Sequence, residues 1–202
     1  MSKVSVSFSV PPKRWEDFTS RASALYLNRG PFLDHMLSIE LPYLQEDLKG
    51  LKLSLRAKRT ISGELKKLVP LSPNVNFEVR EETAELLRTA VKEHNLVRDA
   101  FFCRLLVFLA CSDKLLDYLE VSHYATDPEL RAMVDEMPLS PLKTMESVQA
   151  DPLFYLRHHV QHIHGCGLYR VGLPTTLTCY IEDQYVPGTR AQKRMAKLFE
   201  AL

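Results

Sequence analysis

Hydrophobic and polar positions alternate at the start of the chain: Val4, Val6, Phe8 and Val10 are separated by Ser5, Ser7 and Ser9. A period of two puts one set on each face of an extended backbone, so the stretch predicts a half-buried β-strand. Pro11-Pro12 closes it, and proline suits the first turn of a following helix. The period then changes. Trp15, Phe18, Ala22 and Leu25 lie three and four apart, which predicts a helix with one apolar stripe. A break at Asn28-Arg29-Gly30 leads to a second helix carrying Phe32, Leu33, Met36 and Leu37.

The same order returns 69 residues later. Val6, Phe8, Val10, Glu16, Leu27, Arg29, Phe32 and Leu37 recur as Val75, Phe77, Val79, Glu85, Leu96, Arg98, Phe101 and Leu106, eight identities over 32 positions. Val75, Phe77 and Val79 alternate with Asn74, Asn76 and Glu78. A helix from Glu81 to about His94 begins with Glu81 and Glu82, which complement the helix dipole. A second helix follows from about Arg98. One such unit leaves both edges of its strand unpaired and its helices with too small a core. Two units solve both problems if the strands pair antiparallel and the four helices share a core.

In these residues, the strand Val4–Val10, the helix from Pro12 and the entry Leu27-Asn28-Arg29-Gly30-Pro31-Phe32-Leu33, with their counterparts Val75–Val79, Glu81 onward and Leu96–Phe102, the chain resembles the ribbon-helix-helix family of DNA-binding proteins, with two copies in tandem in one chain. The resemblance implies an α+β, mostly helical fold: a two-stranded antiparallel ribbon plus four helices, followed by a C-terminal helical or α+β region. The expected organisation is a tandem unit over 1–112, with copies at about 3–41 and 73–111 and a basic connector at 42–72. Residues 113–202 then form a region for partner binding or oligomerisation.

The resemblance also implies a use for the ribbon, whose outward side chains touch base edges in the major groove. That set is Ser5, Ser7 and Ser9 with Asn74, Asn76 and Glu78, and Lys3 stands beside it. Asparagine can bond adenine through two hydrogen bonds, glutamate accepts from cytosine, and serine serves either role. Backbone N–H groups at Asn28, Arg29 and Gly30, and at Val97 and Arg98, would meet phosphates. The chain departs from the family in one respect: ribbons there commonly carry Arg, Lys or Gln outward, whereas this one carries three serines and a carboxylate.

Charge adds to this picture only when read by segment. The chain as a whole is +1, but residues 1–70 hold 12 basic and 7 acidic side chains, residues 71–150 hold 8 and 14, and residues 151–202 hold 6 and 4. An anion-binding face should therefore lie in the first third. From Lys49 to Lys67 the connector carries Lys49, Lys52, Arg56, Lys58, Arg59, Lys66 and Lys67 against the single acid Glu64, and contacts from Lys52, Arg56, Lys58 and Arg59 to phosphates would make binding steeply salt-dependent. The acidic stretch from Asp113 to Gln149 should face away from nucleic acid.

The remaining features narrow the function classes. The longest apolar run, Ala100–Cys111, is interrupted by Arg104 and is too short to span a bilayer. It is also apolar almost all round, which calls for cover from the C-terminal segments or from another protein. No secretory leader is evident, and the four cysteines form no CxxC pair, so a reduced, cytoplasmic protein is expected. His158 and His162 share a helix face, and with His164 or Cys166 they are the weak candidates for a metal set, but their spacing matches no common zinc motif and none is assigned. Residues 169–186 carry Thr, Val and Tyr in a strand-like pattern. The chain holds no P-loop, dinucleotide fingerprint or paired-carboxylate motif, so no cofactor and no enzymatic activity are expected. The reading is a sequence-specific DNA-binding protein, by default a transcriptional regulator acting on double-stranded DNA. The alternative is an antitoxin-like or accessory interaction protein whose C-terminal half binds a protein partner or self-associates, with DNA binding secondary or lost.

Overall fold

The computed structural model describes residues 2–68, 74–121, 128, 132, 140–174 and 177–200. The fold is α+β and mostly helical: among the described residues, nine helices surround a single two-stranded antiparallel sheet. Strand β1 (Lys3–Ser9) pairs with β2 (Asn74–Arg80), Lys3 opposite Arg80 and Ser9 opposite Asn74. Ser7 faces Asn76, which is also the residue 69 positions after it. The ribbon is therefore centred on a pair of repeat-equivalent positions. Val6 opposite Phe77 is mirrored by Phe8 opposite Val75, the register that a two-fold axis through the Ser7–Asn76 pair requires.

The helices keep the same offset. Helix α1 is Pro12–Ala24, α2 is Arg29–Asp47, α3 is Leu55–Leu68, α4 is Glu81–Glu93 and α5 is Arg98–Ala110. The α1–α2 and α4–α5 turns match bond for bond. Tyr26 and Asn95 both take left-handed backbone, with φ of 55° and 54°. Tyr26 N–H donates to the Ser23 carbonyl and Leu27 N–H to that of Ala22, as Asn95 N–H does to Lys92 and Leu96 N–H to Val91. Both are the paired closure in which two N–H groups beyond the helix satisfy its last free carbonyls. Packing crosses over between the units: α1 lies on α5, α2 on α4, α5 on β1 and α2 on β2.

Two differences break the symmetry. Helix α2 runs on to Asp47, through Pro42, because Leu33, Leu37, Leu41, Leu44 and Leu48 continue one buried stripe. The stretch between the copies also contains α3, whose Ala57, Ile61 and Leu65 are buried. Helix α5 is buried almost all round, and the C-terminal chain supplies the cover that its sequence calls for: Leu168, Tyr169, Val171 and Cys179 join the same apolar cluster.

That chain comprises α6 (Asp113–Tyr118), α7 (Pro141–Ala150), α8 (Phe154–His164), a 3-10 turn at Asp183–Tyr185 and α9 (Arg190–Glu200). The strand expected over 169–186 does not form. Among its described residues there are only turns and irregular backbone, and the carbonyls of Val171 and Leu177, with that of Leu168 just before, accept from the Arg104 guanidinium instead of from a neighbouring strand. Leu25, expected on the buried stripe of α1, is exposed because the helix stops at Ala24 and the chain turns at Tyr26. Much of the expected acidic helical stretch within Asp113–Gln149 lies outside the described residues. No described helix is long and apolar enough to cross a membrane.

Candidate nucleic-acid interface

The pleat sorts the ribbon into two faces. Val6, Phe8, Val75 and Val79 are buried, with Val4 and Phe77 half-buried beside them. Phe8 stacks on Phe102 of α5 with ring centroids 4.1 Å apart and meets Phe77 edge-on at 5.7 Å and Trp15 at 6.1 Å. These aromatic contacts anchor the thin ribbon to the helices. The opposite face is polar: Lys3, Ser5, Asn74, Asn76 and Glu78 are exposed, and Ser7 and Ser9 are half-buried. Glu78 does not stand alone, since Lys3 Nζ lies 3.6 Å from its Oε2 with both side chains well exposed. In water such a pair adds little stability, but it leaves the face without excess negative charge.

The first turn lies beside this face. A groove of about 450 Å3 is lined by Lys3, Asn28, Arg29, Gly30, Asn76 and Glu78, so six of the residues expected at the interface meet in one place. Asn28 precedes the first turn of α2, whose free N–H groups favour an anion. The wall is fixed by a contact that sequence reasoning missed: Asp34 accepts from Arg80 N–H at 3.1 Å and from Arg80 Nε at 2.8 Å, tying α2 to the end of β2. Asp34 lies one turn into α2 and Arg80 ends β2, so their 46-residue separation hid the pair.

The other expected residues are more dispersed. Arg98, at the equivalent start of α5, is exposed with Asp99 at 3.7 Å, and Val97 beside it is half-buried. In the connector, Arg56 donates to the Pro187 carbonyl at 3.2 Å and Lys58 to Asn95 Oδ1 at 3.0 Å, so both are engaged by the protein itself. Leu53 N–H donates to the His94 carbonyl at 2.9 Å, which sets this end of the connector against the α4–α5 turn. Lys52 and Arg59 are exposed.

No group of three His, Cys, Asp or Glu among the described residues is arranged to hold a metal ion. His158 packs against Phe154 with ring centroids 4.4 Å apart, His162 is exposed, His164 Nε2 lies 3.4 Å from the Leu119 carbonyl, and Cys166 is half-buried.

A second polar cluster ties the C-terminal chain to α2. Glu40, fully buried on α2, accepts from the Tyr169 hydroxyl at 2.7 Å and from Arg157, which also bonds Asp151 and stacks over Tyr43. Burial pushes the Glu40 carboxyl up to about 7, only partly offset by the Arg157 charge and the Tyr169 hydroxyl. Burial also raises Asp47, although Tyr169 N–H donates to it at 3.0 Å. Gly167 passes so close that an added Cβ would fall 1.8 Å from Asp47 Oδ1. Glu40, Arg157 and Tyr169 are buried, and their bonds tie the C-terminal chain to α2.

Comparison of the chain with protein-family models, with curated proteins and with solved structures found no match.

Proposed function

We propose that the chain is a sequence-specific DNA-binding protein, a tandem ribbon-helix-helix that enters the major groove with β1 and β2 and acts in transcription regulation. The observation that carries this reading is the ribbon itself, a two-fold strand pair whose outward face is wholly polar and whose first helix-entry turn shares a groove with it. A B-form major groove is about 12 Å wide and admits a two-stranded ribbon. Ser7 and Asn76, at the two-fold centre, are placed to read the middle of a site, with Asn76 suited to adenine. Ser5 with Glu78 and Ser9 with Asn74 read outward from there. Arg29 and Arg98, at equivalent helix starts, contact phosphates on either side and position the ribbon.

A second reading is favoured by the neutrality of that face. Its cations are already paired, Lys3 with Glu78, and Arg80, which stands opposite Lys3, with Asp34. An accessory or antitoxin-like interaction protein would need no more than that, with the ribbon serving as a scaffold.

Binding of the full chain to fragmented DNA from the source genome at several salt concentrations separates the two. Enrichment of a few fragments, with affinity falling steeply as salt rises, supports DNA recognition. Weak uniform binding or none supports the scaffold. In the first case Asn76→Ala and Ser7→Ala each lower affinity for the enriched site by about 5- to 100-fold while leaving non-specific binding unchanged. Unchanged specific affinity would overturn the assignment of base-reading residues.

A further inference from the structure

Away from the ribbon's polar face, α1, the end of α5, α7 and α8 line a cavity of about 690 Å3. That lies within the range of small-molecule sites, roughly 300–1,000 Å3. Part of its wall is core: Phe18 of α1, Phe108 of α5 and Leu153 before α8 are buried. Its mouth is not. Leu25 after α1, with Met145 and Val148 of α7, are 68%, 56% and 44% exposed, so large apolar side chains from two helices meet water around one opening. Single exposed apolar residues are ordinary on a protein surface, but several that share a cavity mark a place for an apolar ligand.

The charge at this site is uncompensated. Among the described residues, Arg21 is the only Lys, Arg, Asp or Glu that lines the cavity, so a cation stands in an apolar wall with no carboxylate to answer it. The other cations of α1 are answered, since Lys13 and Arg14 reach Asp17 at 3.9 and 4.0 Å. Arg21 is exposed and has no ion pair or side-chain hydrogen bond among the described residues. Its charge acts on the wall beside it. Burial raises the thiol of Cys111, another lining residue, to about 11, and the Arg21 guanidinium pulls against that rise.

We propose that this cavity binds an amphipathic monocarboxylate of the fatty-acid class, with its alkyl chain on the apolar wall and its carboxylate at the mouth on Arg21. A chain is favoured over a ring because aliphatic side chains outnumber rings in the lining, and Met145 adapts to irregular apolar shapes. A carboxylate is favoured over other head groups because the planar guanidinium matches it with two parallel hydrogen bonds. Burial of the chain supplies most of the affinity, and the charge supplies the preference for an acid over an uncharged analogue. The inference does not depend on whether the chain binds DNA.

The test is a fluorescence titration of the full chain with cis-parinaric acid and with its methyl ester, which has the same alkyl chain and no charge. Saturable one-to-one binding of the acid is expected, with the ester bound about fivefold more weakly at low salt. Arg21→Gln should bring the acid down to the affinity of the ester and leave the ester where it was. Val148→Trp, which fills the mouth from an exposed helix, should weaken acid and ester alike by about tenfold or more, with the melting temperature unchanged. Absence of saturable binding, equal affinities of acid and ester in the unaltered chain, a preference that survives Arg21→Gln, or binding unaffected by Val148→Trp would each overturn the proposal.

Discussion

The two strand–helix–helix units share a backbone as far as the entry to their second helices, and there they part. Beyond its exposed first residue Arg98, helix α5 is buried almost all round, whereas α2 keeps an exposed flank. The equivalent positions His35 and Arg104 show how the difference arises. Half-buried His35 reaches one carbonyl of the C-terminal chain, that of Ala150, at 2.7 Å. Arg104 is wholly buried and reaches three, of Leu168 and Val171 at 2.7 Å and of Leu177 at 3.3 Å. Symmetry is thus kept where the strands and first helices need it, and it is lost where the C-terminal chain lands. A charge can stand in the middle of an apolar helix there because the covering loop presents its carbonyls to it.

The largest test of this contrast is Arg104→Ala against His35→Ala. Removing Arg104 leaves three inward carbonyls and a void where a long side chain stood. We expect a loss of roughly 3–5 kcal/mol in denaturant unfolding. His35→Ala removes one partly exposed bond and should cost about 1 kcal/mol or less. Comparable losses would mean that the C-terminal chain holds the two units equally.

Next in size is the pair Glu40 and Leu109, equivalent positions occupied by a buried carboxyl and an aliphatic side chain. Burial raises Glu40 from 4.5 to about 7. Below pH 4.5 the carboxyl is protonated in folded and unfolded chains alike, and its folding contribution is fully present. Between 4.5 and about 7 the unfolded chain releases the proton while the folded one keeps it, so stability falls as pH rises. Above about 7 both are ionised and the loss is complete, on the order of 3 kcal/mol. Glu40→Gln should therefore flatten the decline in unfolding free energy between pH 5 and pH 8. An equally steep decline in the variant would place the titration elsewhere, for example at Asp47, which is raised for the same reason.

These two residues also show what a sequence conceals. The repeat was legible because strands and amphipathic helices have fixed periods, so Val6, Phe8, Val10 and their counterparts announce themselves locally. The polar face followed from the same alternation, and three of its residues share a groove with Asn28, Arg29 and Gly30 of the first helix entry. Arg104 was visible only as a charge interrupting an apolar run, since its partners lie 64 to 73 residues away. Glu40 looked like an ordinary helix carboxylate, and its burial depends on Tyr169 and Arg157, more than a hundred positions on. The strand-like pattern at 169–186 failed for a related reason. Gly167, Gly172 and Pro174 break or bound the extended run, and three carbonyls of this stretch and its approach turn to a guanidinium instead of a ladder.

The finest test lies at the turns, where the units are most alike. Tyr26 and Asn95 hold the same left-handed conformation, which strains a residue with a Cβ and which glycine adopts freely. Tyr26 is 97% exposed and has no side-chain hydrogen bond among the described residues. Asn95 tolerates the conformation better and uses its side chain, with Nδ2 donating to the Leu53 carbonyl at 2.9 Å and Oδ1 accepting from Lys58. The same substitution should therefore have opposite signs. Tyr26→Gly relieves strain and should stabilise by about 0.5–1 kcal/mol, after the entropy that glycine adds to the unfolded chain is deducted. Asn95→Gly relieves less strain, removes two of the bonds between the α4–α5 turn and the connector while the Leu53–His94 bond remains, and should cost about 1 kcal/mol. Thermal melts of the two variants side by side decide the matter. If both shift the melting temperature in the same direction, the turns are equivalent in energy as well as in shape, and the connector does not help to hold the second unit.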